Sequence, residues 1–201
     1  MITILDYSVN NLRSVQKAFE HLGHATQVTS DPDEIARADK LVLPGVGAFG
    51  EAMRNLSLKG LVDPVVEHAC SGKPILGVCL GMQLLFDWSD ELGVYSGLGI
   101  LGGSVQRFTE SPDLKIPHMG WSELSFPRES KLYHGLHNGE LTYFVHSYHV
   151  RPEDPSVIAA TAHHGTEFVA GVERDNVMGA QFHPEKSSAV GLRILDNFAR
   201  L

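Results

Sequence analysis

The sequence lacks what several kinds of protein are built from. Two cysteines in 201 residues, Cys70 and Cys79, cannot make a disulfide framework, so the fold has to come from an apolar core, and the length suits one domain, 1–201. No apolar run approaches the roughly 20 residues of a membrane helix. Met1–Asp6 reads as a strand and has neither the basic start nor the small-residue cleavage site of an export signal, so the expectation is a cytoplasmic protein with reduced thiols. Positive charge is scarce. Sixteen Lys and Arg against twenty-four Asp and Glu give a net charge of −8, with no basic cluster to neutralise phosphates, which argues against nucleic acid. Repeats, low-complexity tracts and flexible linkers are missing too.

What is present is a rhythm of strands and helices. Ile2–Asp6 predicts a strand, followed by a helix with Leu12, Val15, Phe19 and Leu22 at helical spacing and Gly23 as its stop. Ala25–Thr29 predicts a second strand, Ser30-Asp31-Pro32 a cap into a helix through Ala38, and Leu41–Leu43 a third strand. Helices around Ala48–Asn55 and Leu61–Ser71 lead to the strand Ile75–Val78. Alternation of this kind implies a parallel sheet. Beyond Asp90, short strands are expected over Gly97–Phe108, Leu114–Glu123, Leu141–Val150, Val157–Ala162, Glu167–Val172 and Val177–Phe182, then a helix over Ala189–Arg200. The fold class is therefore α/β, a mostly parallel sheet flanked by helices with short antiparallel strands in the second half.

Gly77-Val78-Cys79-Leu80-Gly81 lies where a strand gives way to Met82, Leu84, Leu85 and Phe86, the expected packing face of a helix. A sharp strand-to-helix turn flanked by small residues presents the thiol at the end of the sheet, and the helix start favours its anion. Cys79 is the candidate nucleophile. In His183-Pro184-Glu185, extended backbone would put Glu185 on the same side as His183, so the carboxylate holds the imidazole while the other ring nitrogen faces Cys79. Pro44-Gly45-Val46-Gly47 ends another strand and can turn backbone N–H groups toward an oxyanion, with the N–H of Leu80 as a second donor. Singly these signals are weak: many buried cysteines are inert, eleven histidines make a His near a carboxylate common, and Pro-Gly-x-Gly is often just a turn. Cys70 has no such setting. A metal reading of His146, His149 and His163-His164 fails on phase, since His146 and His149 would face opposite sides of one strand.

Together the three segments resemble the class I (triad) glutamine amidotransferase family in order and spacing. Asp6-Tyr7, Asn11–Val15, Leu43–Gly50, Pro117-His118-Met119-Gly120-Trp121, Tyr143–Tyr148 and Gln181–Ser187 extend the similarity nearly end to end. They are similar to the glutaminase branch that serves imidazole glycerol phosphate synthase. The resemblance implies glutamine as substrate, a Cys79-His183-Glu185 triad, no cofactor and no metal, and substrate contacts at Gln83, Ser147 and Tyr148. It also implies a heterodimer with a cyclase subunit, a (β/α)8 barrel that captures the ammonia and makes imidazole glycerol phosphate and an aminoimidazole carboxamide ribotide for histidine and purine synthesis. Asn10, Asn11, Met119 and Trp121 are expected at that interface. Where many relatives read Asp-Tyr-Gly-x-Gly-Asn, this chain has Ser8 and Asn10 in place of the glycines, and Asn10 is expected to take the left-handed turn. Three rivals stay open: an amidotransferase with another partner, a thiol hydrolase of free γ-glutamyl compounds, and a binding module on the same scaffold.

Overall fold

A computed structural model describes residues 1–110, 112 and 114–201. The first half runs β1 (Ile2–Leu5), α1 (Leu12–His21), β2 (Thr26–Thr29), α2 (Pro32–Arg37), β3 (Lys40–Gly45), α3 (Phe49–Leu58), α4 (Val62–Cys70), β4 (Ile75–Cys79) and α5 (Leu80–Leu84). Strands then dominate: β5 (Phe86–Ser89), β6 (Tyr95–Ser96), β7 (Leu101–Arg107), β8 (His118–Glu123), β9 (Leu141–His146), β10 (Tyr148–Pro152), β11 (Ile158–His164), β12 (Thr166–Arg174) and β13 (Val177–Ala180), before α6 (Ser188–Arg200).

The main sheet has seven strands in the order β11-β12-β13-β4-β3-β1-β2. From β2 to β13 the neighbours are parallel, and β12 and β11 add antiparallel edges. β1, β3 and β4 are mostly apolar and buried, Lys40 at the start of β3 apart, because both faces are covered. On one face α1 buries Val15, Ala18 and Phe19 against Ile194, Leu195 and Phe198 of α6, with the Phe19 and Phe198 rings 6.4 Å apart. Each such fully buried side chain contributes about 1.5–3 kcal/mol. Ile35, Phe49, Leu56, Val65 and Phe86 cover the other face. Local signals set the boundaries as the sequence predicts: Asp31 accepts from the N–H of Asp33 at 2.8 Å to start α2, and Gly23 at φ 82° follows α1.

A four-stranded sheet, β10-β7-β5-β6, and a β8–β9 ribbon complete the molecule. Three expectations fail here. The helix behind Cys79 is only five residues long, and Phe86 opens a strand rather than extending a helical face. The carbonyls that would propagate the helix are taken by a later loop: Leu84 O accepts from Leu98 N, and Leu85 O from Ile100 and Leu101 N, at 2.8–2.9 Å. The segment 141–150 is two strands, because β9 pairs with β8 whereas β10 pairs with β7. The change of partner breaks the two-residue alternation at Ser147, the inward set shifting from Thr142, Phe144 and His146 to His149 and Val150. Consequently His146 and His149 do not face opposite sides; both rings pack on Phe108, at centroid distances of 5.2 and 4.6 Å. The left-handed residues after β1 are Ser8 (φ 68°) and Asn11 (φ 82°), and Asn10 is not among them.

Candidate active site

Cys79 ends β4 and is the residue before α5, with φ 55° and ψ −112°. That conformation is strained for any residue with a Cβ, by about 1–3 kcal/mol. The strain therefore sits on the cysteine itself, and the flanking glycines serve a different purpose from the bend expected of them. A Cβ on Gly81 would run into the carbonyl oxygen of Leu43, and one on Gly77 would lie 2.7 Å from the carbonyl oxygen of Gly81. They let α5 press against β3 and β4, with its first N–H groups beside the thiol. Gly45, paired with Cys79 across β3 and β4, is constrained likewise: a Cβ there would be 2.5 Å from the Tyr7 hydroxyl. Only Gly47, at φ 104° with open space around it, needs glycine for its backbone.

After β4 the chain builds the second half and returns as β13, parallel to β4, with Ala180 opposite Val78. This return brings His183 to Cys79. His183 is extended, but Glu185 lies in a 3-10 turn, Pro184–Lys186, so the same-side argument from a strand does not describe the segment. The turn achieves the contact by other means: His183 Nδ1 and Glu185 Oε1 are 2.8 Å apart, both side chains essentially buried. A carboxylate accepts, so Nδ1 carries the proton and Nε2 is left for the thiol. Burial by itself would lower the imidazole pKa, but the neighbouring Cys79 sulfur and the hydrogen-bonded Glu185 carboxylate push it up to about 10, while Nε2 itself has no hydrogen-bond partner among the described residues. Burial likewise works to raise the Glu185 pKa, and the bonds from His183 and Asn11 hold it below the ordinary carboxylate value. A protonated imidazole is the state these contacts favour.

A cleft of about 300 Å3 opens over the thiol, lined by Val46, Gly47, Leu80, Gln83, Glu91, Pro117, Val145, His146, Ser147, Tyr148 and His183 as well as Cys79. A larger concavity, about 1120 Å3, between Phe126, His134, Asn138 and Arg200 is lined by neither cysteine and by no residue of the triad. The cleft gathers the expected Val46, Gly47, Leu80, Gln83, Ser147 and Tyr148, while Gly45 sits beneath it in β3. Of the expected interface residues, Met119 and Trp121 are 64% and 49% exposed, with Trp121 edge-on to Tyr143 at 5.9 Å. Asn10 is exposed, whereas Asn11 turns inward, its Nδ2 donating to Glu185 Oε1 at 2.6 Å.

Two site residues escape a reading of the sequence. Glu91 comes from the β5–β6 turn and accepts from the N–H of Phe49 at 2.7 Å; burial raises its pKa, and its carboxylate is the cleft's match for an ammonium group. Gln181 is fully buried and places Nε2 3.8 Å from Cys79 Sγ, while Gln83 Nε2 donates to Gln181 Oε1 and to the carbonyl of Tyr148, each at 3.0 Å. Glu91 had no signal beyond a carboxylate in a loop; Gln181 had its place two residues before His183. Behind the cleft, the Tyr148 carbonyl accepts from His146 Nδ1 at 2.8 Å. His146 Nε2 must then accept from His118 Nδ1 at 3.1 Å, and His118 Nε2 from the Ser122 hydroxyl at 2.9 Å. Burial lowers these imidazoles to about 3 for His146 and about 4 for His118, so they are neutral hydrogen-bonded core. Among the described residues no group of three His, Cys, Asp or Glu is placed to hold a metal.

The arrangement suits acyl transfer: a thiol, a base held by a carboxylate, and the first N–H groups of α5 beside the thiol. Comparison with known proteins agrees. The family model for glutamine amidotransferase class-I matches residues 3–200. The chain is 55% identical over 203 residues to the imidazole glycerol phosphate synthase subunit HisH of Syntrophotalea carbinolica, covering 98% of each. It is 50% identical over 205 residues to the protein of the same name from Geobacter sulfurreducens, covering 100% of this chain and 98% of that one. Among solved structures, PurLQS from Thermotoga maritima has the same fold, with a TM-score of 0.76 at 19% identity over 99% of this chain and 97% of that one. The chain belongs to the class-I glutamine amidotransferase family, in its HisH branch.

Proposed function

We propose that this chain hydrolyses glutamine to glutamate and ammonia at Cys79 and hands the ammonia to a cyclase subunit, as the glutaminase of an imidazole glycerol phosphate synthase in histidine biosynthesis. The observation that carries the reading is His183 lying between Cys79 and Glu185 at the carboxyl ends of β4 and β13, in a chain 55% identical to a HisH subunit along its length.

The thiolate attacks the side-chain amide carbon of glutamine, and the N–H groups of Leu80 and of the Val46–Gly47 segment stabilise the oxyanion. His183 gives its Nε2 proton to the departing nitrogen, which leaves as ammonia, and a thioester remains on Cys79. Water attacks the thioester as His183 takes its proton; the thiolate leaves, and glutamate is released. Glu185 keeps the imidazole in the tautomer and orientation both steps need. Glu91 meets the substrate's α-ammonium, and Gln83, Ser147 and Tyr148 bound the same end. Side chains and water suffice for these steps. Residues 1–201 act as one domain, in the cytoplasm, with Asn10, Met119 and Trp121 toward a (β/α)8 barrel partner in a heterodimer.

Ammonia release from glutamine, measured for the chain alone and with the cyclase subunit, tests this. The lone chain should be slower by about a hundred- to a thousandfold, the cost of one misplaced oxyanion donor. Full activity alone would favour a free thiol hydrolase; no release in the complex would end the glutaminase reading.

A further inference from the structure

The loop between β1 and α1 makes two side-chain contacts, one buried and one part-buried, that reach different parts of the catalytic apparatus. Tyr7 is fully buried, and its hydroxyl donates to the carbonyl of Pro44 at 2.6 Å, one residue before Gly45, against which its oxygen packs. Asn11 donates Nδ2 to Glu185 Oε1 at 2.6 Å, across 174 residues. The amide orientation is forced, because a carboxylate can only accept.

Asn11 gives up a good local alternative to do this. As the N-cap of α1, an asparagine ordinarily accepts a hydrogen bond from the first turn, worth about 1 kcal/mol. Asn11 makes no such bond and is held left-handed at φ 82°, ψ 0°. Its backbone carbonyl still begins the helix, accepting from the N–H of Ser14 at 3.2 Å, while its side chain points the other way. Ser8 is left-handed as well, at φ 68°, and Ser8, Val9 and Asn10 face Val46 and Gly47 across a cavity of about 160 Å3. Strain concentrated in five residues, with both polar side-chain contacts aimed at catalytic segments, is the pattern of a positioning element.

We propose that Tyr7 and Asn11 are positioning residues through which the β1–α1 loop sets two parts of the site together: Tyr7 the oxyanion strand, and Asn11 the Glu185 carboxylate that holds His183. This rests on the glutaminase reading above. Neither residue lines the cleft over Cys79, so both act on the rate of the chemical step rather than on glutamine binding.

Asn11→Asp keeps the shape of the side chain and replaces a donor with a carboxylate beside Glu185. Two carboxylates at that distance cannot both ionise freely. At low pH they share a proton and the donor is restored; at high pH they repel. With the cyclase subunit saturating, glutaminase kcat of Asn11→Asp relative to the unmodified protein should fall at least about tenfold between pH 6 and pH 9. Asn11→Ala should lose about tenfold in kcat at every pH with KM within about twofold, the scale of a small misplacement. Tyr7→Phe should show the same split of kcat from KM. The rate at which iodoacetamide alkylates Cys79 should give the same pH-dependent departure of Asn11→Asp, and it needs no glutamine. An unmodified complex that releases no ammonia would refute the glutaminase reading, with alkylation still deciding for or against Asn11. A flat ratio for Asn11→Asp in both assays, unchanged kcat in Asn11→Ala and Tyr7→Phe, or a loss confined to cyclase affinity or thermal stability would overturn the proposal.

Discussion

β4, and β3 after Lys40, are buried throughout, whereas β8 and β9 alternate, with His118, Thr142, Phe144 and His146 inward and Met119, Trp121 and Leu141 exposed. In the first region backbones approach so closely that Gly45, Gly77 and Gly81 have no room for a Cβ, and the one strained residue is the nucleophile. In the second, the inner face is a hydrogen-bonded aromatic core and the outer face carries an indole with Tyr143 as its neighbour. A region closed on both faces can hold an atom in a high-energy conformation because packing over-determines it. A region open on one face can offer large apolar side chains to another chain without paying for it in core volume. The proposed function puts chemistry in the closed region and partner contact on the open one, so each should be breakable without the other.

The largest effect is expected in the closed region. Cys79→Ala and His183→Ala should abolish glutamine-dependent synthesis in the assembled complex, by a thousandfold or more on the order of known triad losses, while synthesis from added ammonium salts persists. Both activities vanishing together would mean that the closed region also shapes the partner's site. In the open region, Trp121→Ala should leave the chain folded, with Cys79 still alkylated by iodoacetamide, and weaken cyclase binding or its stimulation by about tenfold or more, as expected of a buried aromatic anchor. Unfolding, or no change in affinity and stimulation, would remove the contrast between the two faces of the ribbon.

Subtler effects sharpen the account of strain. Cys79→Gly should be more stable than Cys79→Ala by about 1 kcal/mol in denaturant unfolding, the reverse of the usual order in a strand, because only glycine is at ease at φ 55°. The opposite order would show that Cys79 is unstrained. Last, the His183 pKa is raised to about 10 from 6.5, so the folded chain holds a proton that the unfolded chain releases near pH 6.5. The stabilisation is complete below that pH and fades as pH rises through about 10. His183→Ala should therefore cost less stability at pH 10 than at pH 7, and an equal cost at both would contradict a native imidazolium.

The sequence by itself determined the elements whose rules are local. Apolar runs bounded by Gly and Pro predict β1, β3 and β4, helical spacing predicts α1, and Gly-x-Cys-x-Gly and His-Pro-Glu supply three residues whose types admit few other chemistries together. What only the tertiary structure decided are contacts between residues far apart in the chain. Gln181 stands 3.8 Å from Cys79 across 102 residues, Glu91 reaches the cleft from a turn, and Asn11, expected to face a partner, is bonded to Glu185 instead. The division of 141–150 into two strands belongs here as well, since the break at Ser147 follows from β9 pairing with β8 and β10 with β7, strands remote in sequence. Periodicity reports which face of an element is buried, and spacing reports which residues can share a turn. Neither carries the distance between two elements, which is set by how closely their backbones pack.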